Sequence, residues 1–220
     1  MTTFDFGCGP VPAHRHPNGG GWVADTATVV ETAFVDHNAT VAGRARVLDR
    51  AKVNDNAEVC DSAVISGDAI VSYAALVCGD AFVGEHAEVS HAACVGDSAK
   101  ILGHARVYDK ATVRCSATVT DNAIVCGNAI VSDSALVSGN ATVGNRVEIN
   151  GNAKVCDSVV VQDRAVVCDD AILRESAVVG GHAFLSGNMI AMGNAIISGD
   201  AKIGDHTIIH GNMHLTCSSA

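Results

Sequence analysis

Asn38-Ala39-Thr40-Val41-Ala42-Gly43 and Asn140-Ala141-Thr142-Val143-Gly144-Asn145 are two copies of one six-residue phrase. Cut in steps of six from Thr26, the 192 residues to Cys217 fall into 32 such hexads without an insertion. The second place is Ala in 27 of the 32, the exceptions being Val147, Val159, Met189, Thr207 and Met213. The fourth place is Val, Ile or Leu in 31, with Ala191 the exception. Two columns held that tightly establish an internal repeat, and a repeat of this kind decides the fold before any local propensity is weighed.

Side chains of a strand alternate between its faces, so places two and four share one face. Place four carries the β-branched residue that suits a pleated surface. Place two carries Ala, which fits where the chain bends and space is short. Places six and one are mostly Gly or Asp followed by Asn, Ser or Asp, a turn signature. Each hexad therefore reads as one short strand and one bend, and three sides close a triangular coil of 18 residues. A helix would instead place apolar residues three and four apart. Thirty-two hexads make nearly 11 coils, a rod about 50 Å long at roughly 4.8 Å per coil. Asn188-Met189-Ile190-Ala191-Met192-Gly193 supports the register: Met takes the small site and Ala the large one, a swap that conserves volume.

Composition agrees with a solenoid. The 220 residues are 48% hydrophobic but only 4% aromatic and 17% charged, so the core rests on Ala and Val rather than Leu and Phe. That much apolar content excludes disorder of the low-hydrophobicity kind. The net charge of −10 and the lack of a basic run exclude bulk attraction to nucleic acid or an anionic membrane. No stretch approaches the ~18 uninterrupted apolar residues of a membrane span. Met1 to Phe6 lacks the charged and apolar regions of a signal peptide, so a cytoplasmic location is expected. The nine cysteines are odd in number and form no CxxC pair, which fits reduced thiols acting as small hydrophobes.

Hexads with an aliphatic residue followed four places later by a small one resemble the hexapeptide-repeat superfamily, over about nine-tenths of the chain. The resemblance implies an all-β, single-stranded, left-handed parallel β-helix. The hand comes from the resemblance alone, since parallel crossovers are otherwise right-handed. Gly20-Gly21-Trp22-Val23 also resembles the lead-in of bacterial and phage hexapeptide-repeat proteins. Three segments are expected: an N-terminal cap at 1–25, the β-helix at 26–217 and a C-terminal tail at 218–220. Trp22 is expected to pack on the first coil, and a partner chain to cover the last one.

The superfamily implies two chemistries. Its acyltransferases use acyl-CoA or acyl-carrier protein, commonly as parallel homotrimers with sites between subunits and a His as general base. Residues 18 apart stack on one edge of the rod, and Asp68, His86 and His104 form such a column. His86 and His104 are thus the candidate catalytic residues, with Asp68 and the adjacent Glu85 in support. Against that stands the ordinary role of place one as an exposed turn residue. His86 and His91, five apart, resemble the ligand pair of γ-class carbonic anhydrases in spacing but not in phase. Five residues of strand span roughly 16 Å, too far for one ion. His206, His210 and His214 fall at different hexad places and diverge. His37 and His182 read as turn residues; His14 and His16 belong to the cap. No metal site is expected. Cys60 and Cys78 share one outward column.

Two absences weigh on function. The acyltransferases interrupt their coils with a loop that shapes the acceptor site, and they often carry a C-terminal helix; these hexads run without interruption. The outward third place alternates in bands, apolar from Val64 to Phe82, polar from Glu88 to Thr112, apolar at Ile124, Ile130 and Leu136, polar from Thr142 to Lys154, then apolar from Val160 to Ile196. Contiguous apolar surface suggests association, and a homo-oligomer, a trimer by family habit, is expected without a choice of side. The sequence thus favours a non-catalytic scaffold or binding solenoid. The alternatives are an acyl- or acetyltransferase with acyl-CoA as co-substrate and a γ-carbonic-anhydrase-like metal hydratase. A protein partner or small-molecule acceptor is left unnamed.

Overall fold

The computed structural model describes residues 2–217, so the expected tail at 218–220 lies outside the described residues. Almost every hexad contributes a strand of two residues, its third and fourth places, with the outward residue more exposed than the inward one. Each such strand pairs in parallel with the strand 18 residues on, as Val64 does with Phe82 and Val71 with Val89. The result is an all-β solenoid of about 11 coils with three long sheets. The first sheet ends at Lys202–Ile203, the second runs from Thr28–Val29 to Ile208–Ile209, and the third from Phe34–Val35 to His214–Cys217. Among the described residues there is no helix, and none long and apolar enough to cross a membrane.

The core is one continuous stack of the two inward columns. Ala69, Val71, Ala87 and Val89 are fully buried, as are nearly all their equivalents. Met189 and Ala191 are both fully buried, so the swapped pair fills the same space as an Ala–Val pair.

The N-terminal segment is built differently. Strands β1 (Thr3–Asp5) and β2 (Pro10–Arg15) form an antiparallel hairpin, and β2 pairs antiparallel with β3 (Trp22–Ala24). Strand β3 then pairs in parallel with Thr40–Val41. The hairpin therefore covers the open edge of the first sheet, the place where a solenoid is exposed to stray pairing. Residues 16–21 cross the edge of the third sheet: Val35 N–H donates to the Asn18 carbonyl (3.1 Å) and Gly21 N–H to the Val35 carbonyl (3.0 Å). Gly19 has φ +112°, and a Cβ there would sit on the Val35 carbonyl, so only glycine lets the chain pass. Trp22 is itself the outward residue of the first coil, and the cap packs on it. It stacks on Phe4 (4.7 Å between centroids, 22°), with the Arg15 guanidinium 4.2 Å from its ring. At the opposite end Met213 and Leu215, at inward places, are exposed.

Candidate functional site

Site geometry on this rod is set by its corners. From Gly43 to Gly211, the sixth place of each hexad is left-handed with one exception, Asp205, where the following residue, His206, has the positive φ. Asp and Gly dominate the column because Gly has no Cβ penalty there and Asp is among the most tolerant other residues. The carboxylates do more than tolerate the turn. Gly67 N–H donates to Asp49 Oδ2 at 2.9 Å, Gly79 N–H to Asp61 at 3.0 Å, Gly151 N–H to Asp133 at 3.0 Å, and Gly181 N–H to Asp163 at 2.9 Å. An acid on one coil thus accepts the turn N–H of the next, and much of the net negative charge is turn structure.

The column that carries the candidate histidines lies where the second sheet turns into the third. Asp68, His86 and His104 do stack there at the coil spacing. The two imidazoles lie 4.8 Å apart and only 5° from parallel. Asp68 Oδ2 lies 3.8 Å from His86 Nδ1, beyond hydrogen-bond reach. That same oxygen instead accepts from Arg50 at 2.8 Å. Arg50 is the next residue back in the column, 18 before Asp68, and the spacing alone points to it. Glu85 is not a partner of His86: its Oε2 accepts the Gly103 N–H at 2.6 Å, the turn role of any place-six acid. His86 is half-exposed, with 56% of its side-chain surface open to solvent. The column is a surface ladder of an arginine, a carboxylate and two imidazoles.

The other histidines disperse. His91 stacks on Tyr73 (4.7 Å, 10°) on the corner between the third and first sheets. His16 is buried, and its Nε2 meets the Ala33 carbonyl at 3.1 Å; His14 pairs with Asp25 at 2.9 Å. Both hold the cap. Among the described residues, no three His, Cys, Asp or Glu side chains gather into a metal-ligand set. Cys60 and Cys78 are half-buried on the first sheet. Burial, then the charges of Asp61 and its neighbours, push the Cys60 thiol up to about 12, and burial raises Cys78 as well. Both are protonated and inert at neutral pH.

The corner between the third and first sheets carries a column absent from the sequence reading. Lys110, Asn128, Arg146, Arg164 and His182 follow one another at intervals of 18. A shallow groove of about 560 Å³ runs along it, lined by Gly127, Asn145, Arg146, Asp163, Arg164 and His182 among others. Neither arginine forms an ion pair among the described residues. In a chain of net charge −10, this edge keeps its cations free.

Comparison with known proteins adds one likeness. Residues 123–139, about one coil, match the YdcK beta solenoid repeat. No curated protein matches the chain. The likeness agrees with the coil geometry and with the hexapeptide-repeat type of β-helix read from the hexads. It carries no chemistry.

Proposed function

We propose that this chain is a non-catalytic β-solenoid, a rod that displays binding surfaces at a fixed pitch. The observation behind this reading is the unbroken register: from β3 to His214–Cys217, each hexad strand pairs with the one 18 residues on, without a loop between coils. Long irregular segments are where scaffolds of this kind place acceptor and cofactor contacts. Here the irregular segment is the N-terminal cap, whose His14 and His16 side chains are engaged in holding it.

One observation favours a second reading. The stacked Asp68, His86 and His104 could serve acyl transfer from acyl-CoA at a cleft between subunits, with His86 or His104 taking the proton of an acceptor hydroxyl or amine. Asp68 held by Arg50 weakens this reading, because the carboxylate that would orient His86 is directed elsewhere.

A thermal-shift panel of acyl-CoAs, followed by transfer assays with hydroxyl and amine acceptors, separates the two. The scaffold reading expects no shift and no transfer. Transfer that vanishes in His86→Ala, with the fold intact, would overturn it in favour of the second.

A further inference from the structure

We infer that the C-terminal half of the third sheet is a self-association surface, on which two copies of this chain pack with their rods parallel about a two-fold axis along the rod. The inference rests on the scaffold reading and names its partner.

Over the five coils from Asn122 to Ser198, the outward places of this sheet carry no charged residue. The centre line is Ile124, Thr142, Val160, Val178 and Ile196, all partly exposed. The flanking places hold only Asn, Ser, Gln, Gly and Cys, and Gly144 and Gly180 keep the surface low. The other two sheets differ over the same coils: the second presents Lys154, Asp170 and Arg174, and the first presents Glu148 beside its arginines. Packing the uncharged face on either would strip water from charges that gain no partner. Its match is itself.

The two borders of this face fix the orientation. The edge at which strands enter carries Asp121, Asp157 and Glu175; the edge at which they leave carries Arg146, Arg164, His182 and, beside the fifth coil, Asp200, all exposed. Asp163 also lies on the second edge, beside Arg164; the Gly181 N–H holds its carboxylate just as the Gly139, Glu175 and Gly193 N–H groups hold those of Asp121, Asp157 and Glu175, and Arg174 faces the second sheet, where it donates to Met192. A two-fold axis along the rod sets the entering edge of one copy over the leaving edge of the other. Asp157 then faces Arg164, and Glu175 faces His182. A two-fold axis across the rod sets acid over acid and cation over cation. Charge complementarity therefore selects parallel rods. Five coils at about 4.8 Å and a side of roughly 16 Å give a patch of about 400 Å² per copy, at the small end of specific interfaces, so association is weak and concentration-dependent.

Equilibrium sedimentation of the full chain over a wide concentration range tests this. The expected species are 22.4 kDa and twice that mass. Val160→Asp with Val178→Asp should weaken the dimer at least tenfold. Arg146→Glu with Arg164→Glu should weaken it several-fold, as should Asp157→Lys with Glu175→Lys, and an equimolar mixture of these two variants should restore it. A strict monomer at every concentration, a trimer, or charge reversals without effect would overturn the inference. The acid-to-lysine variant also loses two turn acceptors, so its fold is checked by circular dichroism. Should it not fold, Thr142→Cys and Val178→Cys are cross-linked with a short bis-maleimide and the links mapped by peptide mass spectrometry. Parallel rods join each new thiol to its own copy at both positions; self-linkage at one or neither overturns the geometry. A monomer that ignores acyl-CoA would remove this inference and leave the scaffold reading standing. A dimer that transfers acyl groups would do the reverse.

Discussion

From Phe34 to Tyr108 the third sheet presents Arg50, Asp68, His86 and His104 along its entering edge, with Lys52, Glu88 and Arg106 on its strands. From Asn122 to Ser198 the same sheet presents aliphatic residues among Asn, Ser, Thr, Gly, Gln and Cys. Beneath both runs one inward stack of Ala and Val, fully buried from end to end. Because the backbone is the same, the contrast isolates what outward residues contribute. Places two, four and six make the coil; places one, three and five are free to vary, and there the first half carries charges while the second carries a surface that can be covered.

If the two halves share one core, deep truncations should cost the same in each. Ile101→Ala and Leu173→Ala, both fully buried inward residues of the second sheet, should each lose about 2–5 kcal/mol in urea unfolding. A difference larger than that spread would show that the halves are separate folding units. Next in size are the turn acceptors. Asp97, which accepts the Cys115 N–H at 2.9 Å, and Asp133, which accepts Gly151, serve the same corner in either half. Replacing either by Ala should cost on the order of 1 kcal/mol, since these charge-assisted bonds are solvent-exposed. Unequal losses would mean that the ladder supports one half only.

Cys60 offers a pH test in the first half. Its pKa in the fold, about 12, stands above its ordinary 9.0. A group raised in this way stabilises the fold fully below its unfolded pKa and loses that contribution as pH rises through about 12. Alkylation of Cys60 in the folded chain should therefore keep accelerating between about pH 9 and pH 11, where an unperturbed thiol levels off. A rate that plateaus near pH 9 would refute the shift. The smallest effect belongs to the candidate column itself. Arg50→Ala breaks an ion pair whose arginine is three-quarters exposed, so it should move stability by less than about 1 kcal/mol, with any effect fading in salt. A larger, salt-resistant loss would make that column part of the architecture.

The hexads carry the coil length, the stacking partners and the buried columns in plain view, because each follows from a period of six folded three times. The same arithmetic places Asp68, His86 and His104 together. It places Arg50 with them too, and it places Lys110, Arg146, Arg164 and His182 on one corner; both are found by stepping 18 from a residue already in hand. What spacing cannot say is where a side chain turns once it reaches the corner. Glu85 neighbours His86 in sequence but turns along the rod to a backbone N–H. Asp68 has Arg50 on one side and His86 on the other, and the guanidinium, with its fixed donors and permanent charge, holds the carboxylate. The cap's position shows in the loss of phase before Thr26, but its strand pairing is illegible for another reason: β1 and β2 pair antiparallel, by a hairpin that follows no period. Trp22 stands in phase with the hexads, yet the irregular residues before it hide that phase.

The backbone hydrogen bonds of all three sheets, and the acid-to-amide bonds of the corners, join one coil to the next along the rod. Force applied between the ends of such a rod loads these layers in series, and each layer opens separately, releasing about 60 Å of chain per 18-residue coil. Force applied across the rod must shear many layers together. The molecule is therefore soft to peeling and stiff to sideways load, and each broken coil exposes an edge on which it can close again.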